Sequence, residues 1–158
     1  HALSYGNDYA VAYAQLGICK ASLEGDLIEQ AEPACNEAYA TLNKPWERMA
    51  LVANDAKASL LLSQNRPEAA VSVLSTALAK FSSDAASGER SDAYRTRAAA
   101  FSALGRDEEA YSDLVAATRI AEKLYKREQN NAPIIAPVGL PPAITCMAAG
   151  PWLEIPWR

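Results

Sequence analysis

Between about Ser4 and Arg127 the apolar residues recur at helical spacing, in six runs separated by short polar breaks. The runs fall into pairs. The first pair spans about 4–42, with its break at "EGD" (Glu24 to Asp26). It is closed by "NKP", since proline lacks a backbone donor and pushes its predecessor out of the helical region. The second spans about 45–81 from near Trp46 and turns at "QNRPE" (Gln64 to Glu68), where Pro67 suits an early helical position. "SSDAASGERSD" then has the Ser, Asp and Gly content of a connector, and the third pair spans about 90–127 with its break near Gly105. These patterns predict an all-α chain of three helical hairpins.

Small residues keep register across the pairs. Ala31, Ala70 and Ala110 come early in the second helices, and Ala38, Ala77 and Ala117 follow seven positions later, at intervals of 39 to 40 residues. Cys35, Leu74 and Leu114 lie between them, and Gly17, Ala58 and Ala98 fill a comparable slot in the first helices. Such spacing lets antiparallel helices approach closely while larger residues fill the groove. Gly105 is expected to end one helix at no left-handed penalty, Asp107 to cap the next, and Glu108 and Glu109 to favour its positive end. Pro33 is expected to kink its helix or mark its true start. Residues alone leave open an ordinary six-helix bundle with alanine-rich seams.

"AYRTRAAAFSALGRDEEAYSDLVAATRIAE" resembles the tetratricopeptide repeat, with Tyr94, Ala98, Phe101, Gly105, Ala110, Leu114 and Ala117 on signature positions. Arg97 departs from the usual Leu and Glu122 from the usual Pro. The second hairpin matches at Ala58, Leu61, Ala70, Leu74 and Ala77 but not at Asn54 or Lys57. The first has "YAQLG" (Tyr13 to Gly17) in place, with a hairpin about two residues longer. The resemblance covers roughly 9–122 and implies an α-α superhelix, a solenoid of about three hairpins. It further implies a concave face that binds a partner protein or peptide, lined by the first helix of each pair. Carrying the family's groove positions across gives Val11, Ala14 and Ile18, then Val52, Asp55, Ser59 and Leu62, then Asp92, Arg95, Ala99 and Ser102. The two-carboxylate clamp of chaperone adaptors needs several Lys, Asn and Arg residues there, and only Arg95 is present, so an apolar segment is the expected ligand.

The three cysteines are Cys19, Cys35 and Cys146. A hairpin brings Cys19 and Cys35 within bridging distance if their Cβ atoms face each other, and two reduced, buried cysteines are the alternative. "QAEPACNEA" resembles a segment of exported bacterial members of the class, in which the equivalent cysteines flank the turn. That likeness implies a disulfide and a periplasmic or secreted location; the alternative is cytoplasmic. The start at His1 fits a processed export signal, an artificial boundary or a tag remnant.

Formal net charge is −4 and the basic residues are scattered, so no nucleic-acid partner is expected. Charge and proline interrupt every apolar stretch before a membrane span is reached. The sole histidine is terminal, which leaves His-dependent catalytic and zinc motifs without a part. No cofactor and no metal are implied. The carboxylates Glu24, Asp26, Glu29 and Glu32 offer an enzyme or accessory domain only the pattern of a solvated helix face.

From 128 to 158 the chain holds six of its nine prolines and two of its three tryptophans. This favours extended, polyproline-like geometry. So many apolar residues are expected to fold back on the solenoid, with Trp152 and Trp157 as anchors, capping the last hairpin or lying in the groove. The leading expectation is therefore a non-catalytic adaptor, and the alternative a structural assembly subunit that oligomerises or docks through its tail.

Overall fold

The computed structural model describes residues 2–43, 47–81 and 87–131, with the side chains of 2–7, Glu47 and Ser87 left aside. Among these residues the chain is entirely helical: α1 (Ala2–Glu24), α2 (Ile28–Leu42), α3 (Glu47–Ser63), α4 (Pro67–Lys80), α5 (Ser87–Ala103) and α6 (Asp107–Asn131). The connector predicted from Ser82 is shorter than expected, because α5 already begins at Ser87. Trp46, Cys146, Trp152, Trp157 and the rest of the predicted tail beyond Asn131 lie outside the described residues. No helix among the described residues is long and apolar enough to cross a membrane.

The three hairpin turns are the same structure written in three sequences. Asp26, Asn65 and Gly105 all adopt positive φ, at 56°, 56° and 69°. The residue after each donates its N–H five residues back: Leu27 to the Ser22 carbonyl, Arg66 to Leu61 and Arg106 to Phe101, at 2.8, 2.8 and 2.9 Å. This is the double-bonded C-terminal motif that a left-handed residue closes. Equal turns mean equal hairpins, so the first is not two residues longer. The Ala58 and Ala98 slot therefore falls on Cys19, not Gly17. Cys19, Ala58 and Ala98 are all buried, whereas a Cβ added at Gly17 meets nothing within 4 Å.

The caps differ from expectation in one respect. The Ala110 N–H donates to the carbonyl of Arg106, so Arg106 holds the capping position and Asp107 is the first helical residue. No side chain caps α2 or α4 either, but Pro67 does open α4. Pro33 lies inside α2 and does not start it; its ring and Glu29, whose carbonyl loses its helical donor, both face solvent. Gly105→Ala is expected to cost about 1 kcal/mol, because its φ is left-handed while nothing crowds its Cβ. Urea unfolding of the variant checks this.

Each helix packs on the next. In addition α1 packs on α3 and α3 on α5, whereas the backbones of α2, α4 and α6 do not approach one another closely among the described residues. The first helices thus form a close inner layer and the second helices a splayed outer one, which curves the stack toward α1, α3 and α5. The predicted small residues make the close approaches: Ala31, Ala70, Ala38, Ala77 and Ala117 are all at most 3% exposed and Ala110 is 8% exposed. The Ser91 hydroxyl, itself buried, reaches the Ala117 carbonyl at 3.2 Å. Leu114 breaks the pattern, since it is 49% exposed where the equivalent Leu74 and Cys35 are buried. No described helix follows α6 to cover it.

The residues that departed from the repeat pattern stitch it together. Lys57 on α3 donates to Asn36 on α2, and Arg97 on α5 donates to Ser75 on α4. The two contacts are register equivalents, displaced by 39 to 40 residues. Asn54, also off pattern, donates to the Ala50 carbonyl and to Asn43, each at 2.7 Å.

Candidate functional site

Two clefts open on the inner layer. The first, about 520 Å³, is lined by Tyr13, Leu16, Gly17 and Lys20 of α1, Arg48, Met49 and Val52 of α3, and Glu89 of α5. The second, about 450 Å³, is lined by Arg48, Val52, Gly88, Glu89 and Asp92, together with Leu124 and Arg127 from the overhanging end of α6. They share Arg48, Val52 and Glu89, so they adjoin and together make a groove lined from α1, α3 and α5. Arg48 and Glu89, which line both clefts, are ion-paired at 2.7 Å and tie α3 to α5.

Of the expected groove positions, those on α3 and α5 supply two cleft residues and those on α1 supply none. Val52 and Asp92 line the clefts. Ser59 and Leu62 are half-buried on α3, and Arg95, Ala99 and Ser102 are exposed on α5. Val11, Ala14 and Ile18 are exposed yet line neither cleft. They correspond in register to Ala50, Ala53 and Lys57, and Lys57 faces the preceding hairpin, so they look away from the groove. The cause is the two-residue register error in the first hairpin: correcting it moves the slots to Tyr13, Leu16 and Lys20, which do line the groove. In "YAQLG" the Leu-Gly pair imitates the tetratricopeptide signature two residues early, and the turn residue that fixes the true register, Asp26, looks unlike Asn65 or Gly105.

Asp55 sits half-buried between the inner helices and accepts a hydrogen bond from Thr96 Oγ1 at 2.6 Å. Burial pushes its carboxyl above the ordinary value of 3.8, outweighing the Thr96 bond and the nearby Lys20, and Asp92 adds repulsion. A carboxyl raised by folding binds its proton more tightly in the folded chain, so its contribution to stability falls as pH rises through the window above 3.8. Asp55→Asn keeps an acceptor for Thr96 and removes that loss. The variant is expected to melt higher than the parent at neutral pH, with the gap closing as the pH is lowered toward 3.8. Melting curves of both proteins across this range check the sign.

The acidic residues considered for catalysis do not gather. Glu24, Asp26, Glu29 and Glu32 are all exposed around the first turn; Asp26 and Glu29 line a shallow depression there, and the other two do not. No group of three or more His, Cys, Asp or Glu residues that could hold a metal occurs among the described residues. Cys19 and Cys35 are joined as a disulfide, with sulfurs 2.08 Å apart and Cα atoms 4.9 Å apart, both fully buried between α1 and α2. No protein-family model, curated protein or solved structure matches the chain.

Proposed function

We propose that the chain is a non-catalytic adaptor of the tetratricopeptide class, holding an extended segment of a partner protein along its inner face. The observation that carries this reading is the pair of adjoining clefts whose linings come from all three hairpins. A stack pinned by a disulfide, inter-helix ion pairs and repeated polar stitches is preorganised, so little ordering cost is left at binding. Tyr13, 59% exposed at the rim of the first cleft, is an aromatic anchor of the kind that dominates such interfaces. Met49 and Val52 make an apolar floor, while Lys20, Arg127 and Asp92 supply polar fixes. The ligand is accordingly an apolar segment with a few charges. The buried disulfide favours an oxidising compartment, periplasmic or extracellular.

Peptides selected from a random display library on the oxidised chain test the reading. Tyr13→Ala is expected to weaken the selected peptides tenfold or more, about 1.4 kcal/mol, without changing the melting temperature. Ile18→Ala, on the face turned away, is expected to leave them unchanged. Equal binding to Tyr13→Ala and the parent would remove the inner face from consideration.

A further inference from the structure

The outer side of α6 carries an apolar stripe at helical spacing: Tyr111, Leu114, Thr118, Ala121 and Tyr125. Tyr111 is 71%, Leu114 49% and Tyr125 63% exposed. Shifted by 40 residues, its first four positions fall on Val71, Leu74, Leu78 and Phe81 of α4. There Leu74, Leu78 and Phe81 are buried and Val71 packs against them, in a cluster shared with Ala93 and Ala100 of the following helix. The stripe on α6 is thus the same inter-hairpin surface, lacking its next hairpin among the described residues.

The chain itself supplies a cover. Residues 132–153 contain no charged side chain, and they begin where α6 ends. Tyr111 lies about 30 Å back along the axis from Asn131, at about 1.5 Å per residue. An extended, proline-rich chain rising about 3.1 Å per residue covers that in roughly ten residues, after a few to reverse direction. That reach takes up the segment from Pro133 to Ile144, with Ile134, Ile135, Val138 and Leu140 between. Its four prolines carry no backbone N–H, so an extended strand laid on a helix leaves fewer donors unsatisfied.

We propose that residues 133–144 fold back along α6 in the same chain and cover this stripe, in the place a following hairpin would take. Trp152 and Trp157 then lie beyond the segment that does the covering.

The test places the photo-crosslinker benzoylphenylalanine at Leu114 in the full chain. This position is half exposed, and the variant is expected to melt like the parent. Irradiation followed by mass mapping is expected to give an intrachain adduct within 133–144, in the same yield when the protein is diluted tenfold. An adduct joining two copies would assign the stripe to self-association and overturn the proposal. An adduct elsewhere in the chain, or none, would overturn it as well.

Discussion

Replacing both Cys19 and Cys35 with serine is expected to lower the unfolding free energy by about 3 kcal/mol, the chain-entropy value for a loop of about 16 residues. For a folded unit of this size that corresponds to a melting temperature roughly 10 °C lower. The repeat register adds a sharper expectation. Cys19 occupies the slot of Ala58, and Cys35 that of Leu74, so the bridge stands where the second hairpin sets alanine near leucine. Cys19→Ala with Cys35→Leu should therefore recover part of what the double serine variant loses, by restoring an apolar pair of the repeat's own kind. Thermal and urea unfolding of the three proteins under oxidising conditions measures both effects. A leucine variant no more stable than the serine one would contradict the register.

Asp113→Ala is expected to cost about 3 kcal/mol. Its two oxygens accept from Nε and Nη2 of Arg97 at 2.7 Å each, and Arg97 Nη1 reaches Ser75 at 3.1 Å. The guanidinium also lies over the Tyr94 and Phe101 rings, at 5.4 and 5.6 Å. The two side chains are only 17% and 7% exposed, so removing the carboxylate strands a charge between α5 and α6. Removing both charges is a different matter. Arg97→Met with Asp113→Leu fills the site with apolar side chains, so the double variant is expected to regain most of the loss. Urea denaturation distinguishes the cases; a cost below about 1 kcal/mol for Asp113→Ala would mean that water reaches the pair.

Much of this fold was legible because it is written in spacing. Alanines at 39 to 40 residue intervals mark helix contacts whatever surrounds them, and all six predicted close-approach alanines are buried. What sequence concealed was register in the first hairpin. Three different residues, Asp26, Asn65 and Gly105, serve one left-handed turn position, and only glycine announces that conformation. The shift displaces the expected positions on α1, while on α3 and α5 Val52 and Asp92 are the expected positions that line the clefts. Arg97 and Lys57 read as departures from a pattern because their partners, Asp113, Ser75 and Asn36, lie 16 to 22 residues away and on other helices. Arg48 and Glu89, which line both clefts, gave no signal at all, since their pairing spans 41 residues and arises only once α3 and α5 are adjacent.

Partner binding at the inner face is mapped most directly by backbone amide chemical shifts during titration with a selected peptide. Shift changes should concentrate at Tyr13, Gly17 and Lys20, at Met49 and Val52, and at Glu89 and Asp92, leaving the outer faces of α2 and α4 quiet. Changes confined to α2, α4 or the Val11 and Ile18 side of α1, with the groove residues unmoved, would contradict it.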